Sequence, residues 1–294
     1  AISRKTVAES LAQFDALIER HRQTARALLD GARVLAWETD IAPHCATCRH
    51  VLAADTRRDG DIATLLAVGE KLSAALLHQV LQLDLQDSRW LCSEHLIITK
   101  GRRLQATVDL HASRSALQAL LENPEPNRIT IITGFCGGDG KGRTTLLGRN
   151  ASDYSAALVA RYTGSSALEI IGDTDGILSA DPDYVPGANR IARLSWNDAL
   201  LLARAGSGVL HPRTVEPLLG TDISLRLDGL PQSGGTVIGA TCQQRQQSLI
   251  ATWRPPQQAA LSKTPALPNP LSRWQKQYPE HGVVSVFLAD HLDA

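Results

Sequence analysis

The chain has 294 residues, room for one large or two medium domains, and its apolar content of 43 % is enough for a sizeable core. Lys plus Arg and Asp plus Glu balance at 30 each, which gives no electrostatic reason to expect nucleic acid or an anionic membrane as partner. No apolar run approaches the roughly 20 residues of a membrane span, and five Cys without a disulfide framework point to a reducing cytoplasm. The polar, helical N-terminus is not a signal peptide. A start at Ala1 and the lack of any Met read as a processed or incomplete chain.

Residues 1–31 read as one amphipathic helix. Leu11, Phe14, Leu17, Ile18, Ala25, Leu28 and Leu29 recur at helical spacing, and Gly31 stands where a terminating glycine belongs. Residues 40–60 read as irregular. Within them His44, Cys45, Cys48 and His50 are zinc-type ligands, but structural zinc sites draw on two separated knuckles. A redox Cys-x-x-Cys would follow a strand, and no strand pattern precedes this one. Free thiols on a helix–loop segment, with no metal, are therefore expected. Asp61 to Gln82 is a second long helix, carrying Ile62, Leu65, Leu66, Leu72, Leu76, Leu77, Val80 and Leu81. Gly69-Glu70-Lys71-Leu72-Ser73-Ala74 interrupts it. A Gly and a Glu inside an apolar pattern break the local rule, as functional positions often do; the plain alternative is a solvated Glu70.

Trp90 to Ile98 is mixed, Ala112 to Leu121 a short helix, and Asn123-Pro124-Glu125-Pro126-Asn127 a break. Ile129 to Thr133 reads as a buried strand leading into the Gly-rich 134–143. A phosphate-loop reading fails on spacing: position 135 is Phe135, and Lys141 is followed by Gly142 rather than Ser or Thr. A Gly-rich hairpin is the better reading. Next, a β-prone run from Thr144 ends at Gly148, followed by Arg149, Asn150, Ser152 and Asp153 and a helix over 155–163. Ser152 or Asp153 is placed to cap it, and such a strand–turn–helix junction offers backbone N–H groups and an Arg to an anion.

A strand over Leu168–Ile171 precedes Gly172-Asp173-Thr174-Asp175-Gly176, where two carboxylates beyond a strand end suit Mg²⁺ or a ribose, or an Asx-rich turn. A helix over Trp196–Ala205 follows Ser195 as N-cap. His211, fixed before Pro212, reads as structural. Ile223–Leu227 is a strand. From Cys242 onward the sequence is Gln- and Pro-rich and linker-like, with Ser248–Trp253 and Gly282–Leu288 as two further strands.

Four ordered stretches resemble the aspartate kinases of the amino acid kinase family, most closely the bifunctional aspartokinase–homoserine dehydrogenase type. They are Gly69–Ala74 (Gly-Glu-x-x-Ser-Ala), Leu147–Ala157 (Leu-Gly-Arg-Asn-x-Ser-Asp-Tyr-Ser-Ala), Asp173–Pro182 (Asp-x-Asp-Gly…Ala-Asp-Pro) and Val209–Thr214. The resemblance covers roughly 60–238. It implies an α/β fold, a three-layer sandwich with a mostly parallel central sheet, here lacking its first strand or strands. It implies a catalytic domain over 1–240, incomplete at its N-terminus, and over 241–294 a linker plus a partial or degenerate ACT-like regulatory segment.

The implied activity is phosphoryl transfer from ATP, with Mg²⁺, to the β-carboxylate of L-aspartate. This is the first step toward lysine, threonine and methionine. By the resemblance Arg149 pairs with the substrate's α-carboxylate, Glu70 takes its ammonium group, and Ser152 and the catalytic Asp153 complete that half. Asp173, Asp175, Gly176, Asp181 and Pro182 hold the nucleotide. A cytoplasmic homo-oligomer, with or without a fused homoserine dehydrogenase, is the implied setting. The family's N-terminal Lys-Phe-Gly-Gly-Ser-Ser is absent, and Gly172, Leu178, Asp183 and Gly208 depart from the usual residues. The second reading is thus a degenerate kinase domain that binds aspartate or serves as a regulatory or oligomerisation module.

Overall fold

The computed structural model describes residues 6–54, 56–84, 87–122, 127–172, 175–180, 182, 185–204, 209–230, 234–240, 249–253, 275–278 and 283–288. The chain divides into two compact units, Ala1–Ser155 and Ala156–Ala294.

The first unit opens with three long helices, α1 (Val7–Leu28), α2 (Gly31–Ala53) and α3 (Asp59–Leu83). Thr6 and Glu9 form a reciprocal capping box at the start of α1: Thr6 N–H donates to Glu9 Oε2 (2.8 Å) and Glu9 N–H to Thr6 Oγ1 (3.2 Å). Gly31 does not end α1. Asp30 caps the next helix by accepting from Arg33 N–H at 2.9 Å, so Gly31 becomes the first residue of α2. The stretch expected to be irregular from residue 40 is helical to Ala53, with Pro43 inside α2. Tertiary packing overrides the proline's cost, because Trp37, Ile41, Cys45, Cys48 and Leu52 form one buried stripe against Phe14, Ile18, Val68, Leu72 and Leu76. Trp37 is fully buried and donates its indole N–H to the Leu72 carbonyl at 3.2 Å. Trp37→Phe, which loses this bond and some volume, is expected to cost about 1–3 kcal/mol in urea unfolding.

Beyond α3, β1 (Ser88–Leu91) pairs in parallel with β4 (Ile129–Ile132), and β2 (Thr99–Lys100) pairs antiparallel with β3 (Thr107–Val108). Helix α4 (Leu110–Ala119) lies between β3 and β4 in sequence. The stretch read as a buried strand is only partly covered, with Ile129 39 % exposed. The Gly-rich hairpin forms as read: β5 (Cys136–Gly138) pairs antiparallel with β6 (Thr144–Leu146). Ala63 and Ala67 of α3 pack on Cys136 and Leu146, so small residues on the helix let it sit close over the hairpin.

The second unit holds most of α5 (Ala151–Thr163), then β7 (Ala167–Gly172), β8 (Arg193–Leu194), α6 (Trp196–Arg204), α7 (Pro212–Val215), β9 (Ser224–Gly229) and β10 (Thr236–Ile238). Its four-stranded sheet has the order β7-β9-β10-β8. β7–β9 and β10–β8 are parallel and β9–β10 antiparallel. The core joins Leu168, Leu194, Leu225, Leu227 and Ile238 to Ala157 and Ala160 of α5 and to Trp196, Ala199 and Leu202 of α6. Ser195 caps α6, its Oγ accepting from Asp198 N–H at 3.2 Å.

The tail strands β11 (Leu249–Trp253), β12 (Gln275–Tyr278) and β13 (Val283–Leu288) make an antiparallel sheet in the order β11-β13-β12. β12 adds a strand to the two read from sequence, while the Gln- and Pro-rich stretches lie outside the described residues. Helices layered on parallel strand pairs give the α/β class expected. Among the described residues no helix is long and apolar enough to cross a membrane.

Candidate functional site

The loop between β6 and α5 is shaped by two left-handed residues, Gly148 (φ 95°) and Asn150 (φ 52°). Gly takes that conformation without steric cost, and Asn tolerates it better than other side chains. The chain therefore reverses early, and α5 begins at Ala151 rather than near 155. Ser152 and Asp153 stand in the first turn of the helix instead of capping it. Ser155 is buried and bonds the Ala151 carbonyl at 2.8 Å, so the first turn is anchored from within. Gly134, just past β4, lies against that turn: a Cβ there would stand 3.1 Å from Ser152 Cα, Cβ and Oγ. Arg149 and Ser152 are exposed, Asp153 half-buried. Among the described residues no carboxylate pairs with Arg149. The loop thus brings a guanidinium with no carboxylate partner among the described residues, a hydroxyl and a helix start to one mouth, an arrangement suited to a carboxylate.

Glu70 sits in α3 on the same helical stripe as Ala63 and Ala67, which pack on the hairpin whose second strand runs into the Arg149 loop. Its carboxylate is half-buried, and burial holds its pKa above the ordinary carboxylate value. No hydrogen-bond or ion-pair partner accompanies it among the described residues. A partly desolvated carboxylate without a cation carries a cost that a ligand ammonium group relieves.

Next to Glu70, Lys71 turns to the interior. Its Nζ lies 2.6 Å from Glu94 Oε1, with the side chains 10 % and 4 % exposed, and Thr144 of β6 donates to the same oxygen at 2.9 Å. Among the described residues Glu94 Oε2 has no hydrogen-bond partner. The sequence reading missed this clamp, which ties α3 to β6. Its one signal is a Lys at an inward position of an apolar helix; Glu94, in the short 3-10 helix Ser93–His95, gives none.

Of the residues that the resemblance assigns to a nucleotide, Asp173 and Asp181 lie outside the described residues, as do the departures Asp183 and Gly208. Asp175 and Pro182 are exposed. Gly176 has φ 96°, and a Cβ there would come within 2.6 Å of Thr236 Oγ1, so the turn is pressed against the start of β10. Thr236 Oγ1 accepts from Ile177 N–H (2.8 Å) and donates to the Ile191 carbonyl (2.6 Å). Segment 177–179 pairs back on 189–191 through Ser179 N–H to Asn189 O (2.7 Å) and Ile191 N–H to Ile177 O (2.8 Å). This loop leaves the carboxyl end of β7, which runs parallel to β9, the usual location of ligand loops in α/β sheets. His211 caps α7, its Nδ1 accepting from Arg213 N–H at 3.1 Å, a structural role as read. Glu70, Arg149, Ser152 and Asp153 thus belong to the first unit, and Asp175, Gly176 and Pro182 to the second.

The Cys-x-x-Cys lies in the helical core rather than on a loop. Burial pushes the Cys48 thiol up to about 11 and raises that of Cys45, which makes both poor nucleophiles. Among the described residues no cluster of three His, Cys, Asp or Glu is placed to hold a metal ion.

A model of the amino acid kinase family matches residues 5–227. The chain belongs to the amino acid kinase family. It is 35 % identical over 178 residues to a bifunctional aspartokinase/homoserine dehydrogenase of Haemophilus influenzae, covering 60 % of this chain and 22 % of that protein. It is 36 % identical over 177 residues to the lysine-sensitive aspartokinase 3 of Escherichia coli, covering 59 % and 39 %. The chain therefore spans well under half the length of these curated relatives. A solved structure of E. coli aspartokinase III in complex with aspartate and ADP superposes with a TM-score of 0.73 at 22 % identity, over 99 % of this chain and 68 % of that one. That likeness shows the fold. Kinase relatives and fold together bear out the resemblance drawn from the four stretches.

Proposed function

We propose that the chain carries the aspartate- and nucleotide-binding machinery of an aspartate kinase, transferring the γ-phosphoryl group of ATP to the β-carboxylate of L-aspartate. The observation that carries the reading is the uncompensated pair of opposite charges: Arg149 exposed at the mouth of α5, and Glu70 half-buried without a cation on the helix packed over the same hairpin. A guanidinium and a carboxylate with no partners of their own suit a ligand bearing one carboxylate and one ammonium group.

The substrate's side-chain carboxylate is already ionised and needs no general base, so the protein's work is positioning and charge neutralisation. Arg149 holds the α-carboxylate by its two-pronged fork. Glu70 accepts from the ammonium group, and Ser152 and Asp153 in the first turn of α5 fix the side chain. The loop beyond β7, with Asp173, Asp175, Gly176, Asp181 and Pro182, binds the nucleotide; its place at the carboxyl end of a strand in a parallel pair supports the assignment. Mg²⁺, when bound with ATP, would supply charge neutralisation on the phosphates, and Asp173 and Asp175 are the carboxylates that the sequence offers to hold it. The kinase domain over 1–240, the regulatory tail, homo-oligomerisation and a linked homoserine dehydrogenase are parts of the same proposal; the names of the relatives support the last of these and a lysine-responsive control.

A second reading, aspartate binding without catalysis, is favoured by the departures at Gly172, Leu178 and Asp183, since a carboxylate near a polyphosphate is repulsive. A hydroxamate assay for aspartyl phosphate separates the two. Product formation supports the kinase; aspartate binding with no product leaves the binding module.

Glu70→Gln tests the ammonium contact apart from folding. A carboxylate whose folded pKa is raised destabilises the fold increasingly as pH rises through the window from its unfolded to its folded value. At neutral pH the amide is therefore neutral or slightly stabilising to the free chain, yet weakens L-aspartate about tenfold or more. In the parent, affinity falls as pH drops through the raised Glu70 pKa. Calorimetric titration at several pH values measures both effects.

A further inference from the structure

The first unit contains a cavity of about 450 Å³ that the aspartate reading does not use. It lies between α2, the N-terminal half of α3 and the tip of the β5–β6 hairpin, and its wall includes Arg58, Arg103, Arg143 and Lys71, with Asp61 and His44 beside them. Lys71 is already paired with Glu94, so three guanidinium groups, of Arg58, Arg103 and Arg143, converge on a space within the size range of small-molecule sites. The nearby carboxylates are already engaged. Asp61 accepts from Arg58 N–H (2.8 Å), Glu94 takes Lys71, and Asp139 accepts from Arg103 Nη2 (3.1 Å) and Arg143 Nε (2.7 Å). Arg103 still has Nε and Nη1 to offer, and Arg143 its Nη1. Burial and the Lys71 charge push the His44 pKa down, so His44 adds no charge at neutral pH.

The cavity and Glu70 lie on different faces of α3. Asp61, Thr64, Val68 and Lys71 recur at helical spacing along the cavity wall. Ala63, Ala67 and Glu70 form a separate stripe, whose alanines pack on the hairpin. The first turn of α3, with Gly60 and Asp61, also borders this space, although the Asp61 and Ile62 N–H groups already donate to the Arg58 carbonyl (2.9 and 3.1 Å).

We propose that this cavity binds the phosphate group of a small phosphorylated metabolite, at a site separate from the aspartate loop. Donors arriving from several directions suit the tetrahedral phosphate better than a planar carboxylate, and forked guanidinium groups pair with it bidentately. The volume leaves room for an organic portion beyond the phosphate. Gly60 sets one donor: a Cβ there would stand 2.6 Å from Arg103 Nη1, so the missing side chain is what lets that guanidinium lie over the helix start.

The test is calorimetric titration of the full chain at fixed ionic strength with inorganic phosphate, pyrophosphate and glucose 6-phosphate. The expected result is saturable one-to-one binding of at least one probe. Preference for glucose 6-phosphate identifies a phosphate ester, and preference for the inorganic probes a free phosphate. Arg58→Gln with Arg143→Gln, both at exposed positions, weakens it about tenfold or more. Gly60→Ala, which moves Arg103 without removing charge, weakens it also. L-aspartate binding persists in these variants, and probe binding persists in Arg149→Ala, so the two sites fail independently. No saturable binding of any probe, or affinity unchanged in all the variants, overturns the site.

Discussion

Arg149→Ala leaves the chain folded and removes L-aspartate binding from the measurable range. The side chain is exposed at the mouth of α5 and has no carboxylate partner among the described residues, so its truncation opens no cavity and orphans no buried group. Binding loses a charge-assisted fork on the α-carboxylate, of the order of 1.5–3 kcal/mol per hydrogen bond to a charged group, and two such bonds exceed a hundredfold in affinity. Lys at this position restores charge but not the fork and recovers only part of the loss. An unchanged melting temperature alongside lost binding, followed by calorimetry, is the expected pair of observations. Retained affinity would mean that the loop holds something other than the α-carboxylate.

The second large effect is on stability. Lys71→Met removes the cation from a pair whose carboxylate residue is only 3 % exposed and has one oxygen without a hydrogen-bond partner among the described residues. Breaking a buried pair from one side costs about 3–5 kcal/mol, because the remaining charge stays desolvated. Replacing both members, Lys71→Met with Glu94→Leu, recovers much of it, since no isolated charge is left. The pair also sets a pH dependence. Burial lowers the Lys71 pKa, but attraction to and hydrogen bonding with Glu94 outweigh it, and the net direction is upward. A lysine with a raised folded pKa contributes stability that is complete below its unfolded value, about 10.4, and is lost as pH rises through the folded one. Urea unfolding above that value therefore shows the parent losing stability faster than Lys71→Met. Parallel slopes would remove the pair from the account.

How much of this the sequence discloses differs by element. The Arg149 loop is legible because its residues act locally: a Gly, an Asn and a helix start within a few positions define both the turn and the chemistry. Even there the boundary moves, since the left-handed Asn150 starts α5 four residues earlier than the apolar pattern alone indicates. The 40–53 helix is illegible for the opposite reason. Pro43 and mixed polar residues spoil its local signal, and only packing against α1 and α3 makes it helical. Gly31 misleads because the same residue type ends one helix or begins the next, and Asp30 decides which. The Lys71–Glu94–Thr144 clamp joins residues far apart in sequence, and no spacing rule reaches that distance.

The central claim is that this chain recognises an amino acid through opposed charges at Arg149 and Glu70. Calorimetric titration with L-aspartate beside succinate, which keeps both carboxylates and lacks the ammonium group, tests it most directly. The account predicts saturable one-to-one binding of L-aspartate and affinity for succinate weaker by about tenfold or more. Equal affinity for the two, or no saturable binding of L-aspartate, contradicts it.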